Sequence, residues 1–352
     1  MGPEKKTTQV QLEDRIPDLS VVIVSWNTKE FVNECLKSLS GQYPCRSMEV
    51  VVVDNASSDG TPEIVREQFP DVKLLRNSQN LGFAKANNMG VSVSTGKYIC
   101  LVNSDVEMRD GCVRKMFQYM EQNPSIGMLG PAMLGADGRV RRSCMRIPTL
   151  WNSLCYALGL DLMLKRFQRF SGFLMRDFQH DEIRDVEVLN GWFWMVRRQA
   201  LAEVGGLDER FFMYSEDIDW CKRFHSAGWR VVFYPDAQAI HYGGASSASL
   251  PLRFYLEQQH ARLQYWEKHH GRTSRMLYVF ILLLEQLVRL VGYAPQFVLK
   301  STRPQLAFKL ERSLASLRWL LGMSPNRYRE SDEQSNDPPW YRNNSNLHGH
   351  AD

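Results

Sequence analysis

No two cysteines in this 352-residue chain stand at C-x-x-C spacing, which removes zinc ribbons and dithiol redox sites from consideration. The seven that exist (Cys35, Cys45, Cys100, Cys112, Cys144, Cys155, Cys221) are odd in number and scattered. They read as reduced thiols of a cytosolic protein, mostly core filler. Met1 to Asp18 lacks any apolar stretch, so no signal peptide is expected and the main domain is expected to stay on the cytoplasmic side. A concentrated basic stripe is missing too: the formal charge is only +4. That argues against a nucleic-acid partner and leaves anionic phosphates or an anionic membrane surface as fitting ones. The turn Ser25-Trp26-Asn27-Thr28-Lys29 contains no glycine, so the fingerprint that lets backbone approach a dinucleotide pyrophosphate is absent. No internal repeat is visible.

With 44% hydrophobic residues the chain can bury a large core, and one main domain of about 250 residues plus appendages is the economical reading. The run Leu19 to Ser25 has no polar face and reads as a strand covered on both sides. A helix is predicted over Thr28 to Leu39 from its apolar spacing. Strands follow at Met48 to Val53, Val72 to Arg76 and Tyr98 to Val102, separated by helices at Glu63 to Phe69 and Phe83 to Val93. Alternation at this pitch predicts right-handed βαβ units and a parallel sheet, with ligands at the carboxyl ends of the strands. Met128 to Arg146 reads as short strands and turns. Trp151 to Glu187 reads as a less regular insert suited to an acceptor-side loop, and a helix is predicted at Arg198 to Val204.

Three polar clusters carry candidate chemistry. Asp54, in Val53-Asp54-Asn55-Ala56-Ser57-Ser58-Asp59-Gly60, is placed to accept from the ring N–H of a pyrimidine base; the same segment also reads as a capped βα loop with no ligand. Asp105, in Asn103-Ser104-Asp105, follows a buried strand and suits Mg²⁺ or Mn²⁺, which favour oxygen ligands, or is one more strand-end turn. Glu216-Asp217-Ile218-Asp219 reads either as dipole-compensating acids on a first helical turn or as catalytic carboxylates beside the aromatic run Phe211-Phe212-Met213-Tyr214. His241, followed by Tyr242-Gly243-Gly244, is a candidate phosphate or metal contact.

In this order, these pieces resemble the inverting family 2 glycosyltransferases, and most closely their bacterial rhamnosyltransferase-like branch. The resemblance rests on Val22-Ile23-Val24-Ser25-Trp26-Asn27, Val53 to Thr61, Asn80-Leu81-Gly82-Phe83-Ala84-Lys85-Ala86-Asn87-Asn88, and Asn103-Ser104-Asp105-Val106. It continues through Gly205 to Asp219, Gly228-Trp229-Arg230-Val231 and His241-Tyr242-Gly243-Gly244, covering about residues 18 to 250. It implies an α/β GT-A fold, mainly parallel in its central sheet, a nucleoside diphosphate sugar donor such as dTDP-rhamnose or a UDP-sugar, a divalent cation, and inversion at the anomeric carbon. By the same resemblance Asp54, Ser25 and Asn27 would serve the nucleoside, and Asn80, Gly82 and Asn88 the ribose and diphosphate. Asp105 and His241 would serve the metal, with Asn103 at the first position of its motif, where an amide replaces the usual carboxylate. Asp217 would be the general base, and Glu216 and Asp208 would lie near the sugar or acceptor. Acceptors would be saccharides or lipid-linked saccharides of cell-surface polysaccharide synthesis. A non-catalytic saccharide-binding subunit on the same scaffold is the alternative.

Beyond residue 250, the apolar run Met276 to Leu284 is nine residues long and meets Glu285 and Arg289, short of the roughly 20 that a spanning helix wants. Basic residues flank it at Arg272, Arg275, Lys300, Arg303, Lys309, Arg312 and Arg318. An amphipathic helix peripheral on the inner face of the membrane and a helix packed on the protein or at a homodimer interface are both expected readings. The organisation is therefore a flexible start (1–17), a GT-A domain (18–250), a helical extension (251–323) and a disordered tail (324–352).

Overall fold

The structure, a computed structural model, describes residues 17–42, 48–164, 167–170, 172–245, 251–293 and 303–323. The expected disordered tail lies outside these residues, as does nearly all of the expected flexible start. The first half alternates as its apolar runs require: β1 (Leu19–Ser25), α1 (Lys29–Leu39), β2 (Met48–Asp54), α2 (Thr61–Gln68), β3 (Lys73–Arg76), α3 (Phe83–Ser92) and β4 (Tyr98–Asn103). β5 (Val106–Met108), α4 (Cys112–Gln122), β6 (Ile126–Leu134), β7 (Val140–Arg141) and β8 (Cys144–Met145) come next. The insert holds α5 (Leu150–Ala157), α6 (Leu160–Met163) and β9 (Arg184–Asp185). After it come β10 (Val188–Leu189), β11 (Phe193–Arg197), α7 (Arg198–Val204), α8 (Glu216–Ser226) and β12 (Arg230–His241). Two helices close the described chain, α9 (Pro251–Tyr293) and α10 (Arg303–Leu320).

The main sheet has the order β3-β2-β1-β4-β11-β6-β12-β5. β3, β2, β1 and β4 are mutually parallel, and β12 runs parallel to β6. β11 enters antiparallel between β4 and β6, making the sheet mixed at its centre. Val21, Val22 and Ile23 are wholly buried, each contributing about 1.5–3 kcal/mol against leaving it in water. They serve two faces: Val21 and Ile23 join one core cluster and Val22 the other. The six cysteines among the described residues are free and buried.

Two sequence expectations change. Met128 to Arg146, expected as short strands and turns, does hold the turn at Gly135–Gly138 and the short β7 and β8, but it opens with most of β6, a nine-residue central strand. Its glycines make room rather than turns. A Cβ on Gly127 would come within 2.8 Å of Phe224, and one on Gly130 within 2.9 Å of Leu189. Pro131 sits where the pairing with β12 slips between Tyr234 and Gln238, a bulge that tolerates its missing N–H. The second change concerns the carboxyl-terminal helix, expected near Met276. α9 begins at Pro251 and breaks at Gly271, where φ is 77°. There the chain folds back on itself: Trp266 stacks on Tyr278, and Tyr255 donates to Gln286.

Candidate active site

The carboxyl ends of β1, β2 and β4 open into a cavity of about 400 Å³. Its polar wall is held by one amide. Asn55, 2% exposed, donates to the Asn80 side chain and the Gly82 carbonyl while accepting from Asn77 and the Leu81 N–H. Gly82 has φ 83°, and a Cβ there would lie 2.4 Å from the Phe212 carbonyl. Only glycine fits this seam, which fastens the Asn80–Gly82 loop to the segment leading into α8.

That segment is strained. Tyr214 and Ser215 both take left-handed φ, 72° and 63°, immediately before Glu216, and Asn27 (51°) and Ala56 (65°) do so at the ends of β1 and β2. Four of the six non-glycine residues with positive φ among the described residues therefore flank the cavity, where strain is characteristically retained for function. The turn delivers Glu216 and Asp217 into the cavity that Asp105 and His241 also line.

Burial pushes the Asp217 carboxyl up to about 6, although the N–H groups of Ile218 and Gly191 oppose the rise. Burial and then the neighbouring Asp217 charge push Glu216 well above the carboxylate range. The two adjacent carboxyls are thus both raised, and unequally, Glu216 the further. In the same cavity, Asp105 Oδ1 lies 3.2 Å from His241 Nε2. Burial opposes its charge, but the hydrogen bond and charge of His241 outweigh that and hold Asp105 below the usual carboxylate range. His241 is itself fixed by stacking on Trp192, ring centroids 5.5 Å apart. Three buried polar atoms in this wall have no partner among the described residues: Asn103 Oδ1, Asn190 Oδ1 and Glu216 Oε2. Buried polar atoms are rarely left so, and a polyhydroxylated ligand or a cation would satisfy them.

Of the residues singled out in the sequence, the structure brings Asn80, Gly82, Asn103, Asp105, Glu216, Asp217 and His241 together on the cavity wall. Ser25, Asn27 and Asp54 sit at the adjoining strand ends. Ser25 Oγ is 2.7 Å from the Thr28 hydroxyl, and Asn27 accepts from the Ser58 N–H. Asp54 accepts from the Ser57 N–H and leaves its buried Oδ1 without a partner. Asn88 and Asp208 are not on this wall. Asn88 staples Leu207 through both its backbone N–H and carbonyl, and Asp208 accepts from Arg210 and Lys268. Sequence reading missed Asn190, Trp192, Gln258 and Arg262. The last two belong to α9, beyond the region where any pattern pointed to the site.

A mostly parallel central sheet with acidic groups lining a cavity at its carboxyl edge is the arrangement of the GT-A fold. The chain belongs to glycosyl transferase family 2, whose profile matches residues 20–205. It is 31% identical over 244 residues to the N-acetylglucosaminyl-diphospho-decaprenol L-rhamnosyltransferase of Mycobacterium tuberculosis, covering 66% of this chain and 78% of that one. Glycosyltransferase AglE of Haloferax volcanii is 25% identical over 293 residues, or 82% of this chain and 86% of its own. Among solved structures, the mannosyltransferase PcManGT of Pyrobaculum calidifontis, in complex with GDP-Man and Mn²⁺, is similar over 86% of this chain and 87% of its own, at 18% identity and a TM-score of 0.48.

Proposed function

We propose that this enzyme transfers L-rhamnose from a nucleoside diphosphate, with inversion, to a saccharide carried on a lipid diphosphate at the inner face of the membrane. The observation that carries the transfer chemistry is the placement of Asp217, its carboxyl raised to about 6, in one cavity with the partnerless oxygens of Asn103 and Asn190. The donor and acceptor follow the Mycobacterium tuberculosis relative, whose name specifies rhamnose and a polyprenol-diphosphate acceptor.

In this reading the acceptor hydroxyl oxygen attacks the anomeric carbon while its proton passes to Asp217. The bond from that carbon to the diphosphate oxygen breaks on the opposite face, and its electron pair leaves with the diphosphate. Glu216 stays protonated and donates to sugar or acceptor oxygen. Asp54 receives the base N–H through its Oδ1, which has no partner among the described residues. Ser25, Asn27, Asn80 and Gly82 shape the nucleoside and diphosphate end, while Asn88 and Asp208 act only in holding the Leu207 segment and α9.

No group of three or more His, Cys, Asp or Glu side chains fit to hold a metal is found among the described residues. Asp105 and His241 do fit a hard divalent cation that takes its remaining ligands from diphosphate oxygens, and the partnerless Asn103 Oδ1 adds a neutral donor. Such a cation would neutralise charge on the leaving diphosphate.

Residues 251–323 supply the membrane contact. The stripe Met276, Phe280, Leu287 and Val291 faces outward, with Phe280 65% and Val291 74% exposed. Meanwhile Gln259, Glu285, Gln286, Ser313 and Ser316 are buried between α9 and its neighbours. Polar inside and apolar outside reverses the pattern of a water-facing helix. α9 is long and apolar enough to cross a membrane, and only 22% of its most apolar stretch is buried. Its break at Gly271 and the inward pair of Arg289 with Glu285 favour a hairpin lying at the interface.

The test is a thermal-shift panel of nucleotide sugars with and without Mn²⁺. A ligand at a hundred times its dissociation constant stabilises by about 2.7 kcal/mol. Selective stabilisation by dTDP-rhamnose with the metal, and NMR of the product's anomeric configuration, support the reading. Equal response to all nucleotide sugars, or a retained configuration, overturns it.

A further inference from the structure

We infer that Arg262, assisted by Gln258, is the subsite for the phosphate group joining the acceptor sugar to its lipid. This rests on the functional reading above and names the part of the acceptor that the catalytic acids do not touch.

α9 forms a wall of the cavity. Its first turn meets the donor end, where Phe254 packs against Trp26 with ring centroids 6.1 Å apart. Farther along, Lys268 and His269 hold Asp219, two residues beyond the proposed base. Gln258 and Arg262 lie between, one helical turn apart on the face that lines the cavity with Tyr214 and Asp217. Around them Ala261, Leu263 and Tyr265 pack with Phe211, Tyr214 and Ile218. Arg262 is therefore built against the segment that carries Asp217, whereas Asp105 and His241 come from the ends of β4 and β12.

The Arg262 guanidinium feels the Glu285 charge, but that carboxylate is committed to Arg289. No carboxylate lies within ion-pair distance of Arg262 among the described residues, although nearby Arg289 is paired with Glu285 and Arg223 with Asp219. Its side-chain partner is the Tyr278 hydroxyl. A guanidinium lining a cavity with no carboxylate bonded to it is free to take an anion, and an arginine fork suits a phosphate by two parallel hydrogen bonds. In a lipid-diphosphate saccharide the phosphate is one sugar ring from the reacting hydroxyl. The lipid would then leave along the α9 hairpin, whose outer stripe is apolar.

The experiment titrates farnesyl diphosphate, and farnesol as its phosphate-free counterpart, into enzyme already saturated with a nucleoside diphosphate, so that the donor site is filled. Arg262→Gln is expected to weaken farnesyl diphosphate binding by about 10- to 100-fold, the value of a charged hydrogen bond. Farnesol binding and nucleotide affinity are expected to stay at wild-type levels, and Arg262→Lys to recover part of the loss. Failure of farnesyl diphosphate to bind the wild-type enzyme overturns the inference, as does equal binding to wild type and Arg262→Gln. If Arg262→Gln instead loses nucleotide affinity, the residue serves the donor and the inference is likewise overturned. Thermal melts of both variants check folding, with Arg262→Lys as the conservative measure. Rhamnose transfer to N-acetylglucosaminyl diphosphate farnesol is scored separately: its absence sinks the proposed donor and acceptor, while the farnesyl diphosphate titration still decides the role of Arg262.

Discussion

At the scale of single residues, the proposed mechanism turns on two adjacent acids that their surroundings push unequally. A base must be unprotonated to work, so a carboxyl raised to about 6 gives a turnover that falls as pH drops through 6 and is level above it. Glu216 is held protonated by burial and by the Asp217 charge. Glu216→Gln is therefore expected to leave the acid limb near pH 6, whereas Asp217→Asn lowers turnover by about 10²- to 10⁴-fold with donor affinity retained. A pH–rate profile for both variants checks this. An acid limb moved by Glu216→Gln assigns the base to Glu216. For Asp54 the expected loss is in the nucleotide, since its buried Oδ1 has no partner among the described residues. Asp54→Ala should weaken binding by about 1.5–3 kcal/mol, read by calorimetry with the free nucleoside diphosphate.

At the scale of elements, α8 and α9 act as one piece because Asp219 ties them. It is wholly buried and is met by Lys268 at 2.5 Å, His269 at 2.7 Å and Arg223 at 2.9 Å. Burial opposes its charge, but these partners outweigh that and lower its carboxyl from 3.8 to about 2. A depressed folded value means stability that is present above the unfolded value and lost as pH falls from about 4 through 2, worth about 2 kcal/mol. Asp219→Asn is therefore expected to lower the Tm at pH 7, with the difference from wild type shrinking below pH 4. A gap that stays constant with pH rules out the charge as the clamp. Because α8 carries Asp217 and α9 carries Arg262, the same substitution should also lower turnover.

At the scale of the whole molecule, the α9 hairpin has two faces to which the proposed function gives different tasks. One closes the cavity with Gln258 and Arg262, and the other presents Phe280, Leu287 and Val291 outward. The joint substitution Phe280→Glu and Val291→Glu, at exposed positions that leave the interior untouched, should reduce co-sedimentation with anionic vesicles several-fold. Wild-type binding should weaken as salt rises, through screening of the basic flank. Equal sedimentation of both proteins places the membrane contact elsewhere.

The sequence by itself determined the strands and helices of the first half, because fully apolar runs such as Val21–Ile23 admit burial on both faces and little else. It also determined the order of polar segments at the strand ends, since in a parallel sheet every such end opens on one edge. Tertiary structure decided what pattern leaves open. It set β11 antiparallel between β4 and β6, and it packed Phe224 and Leu189 so close over Gly127 and Gly130 of β6 that no side chain fits there. The upward shift of the Glu216 and Asp217 carboxyls came from burial, and for Glu216 also from the Asp217 charge, which spacing does not encode. The entry of Arg262 into the site came from a helix folding back at Gly271 and docking on Asp219, contacts between residues about 50 positions apart that leave no periodic trace.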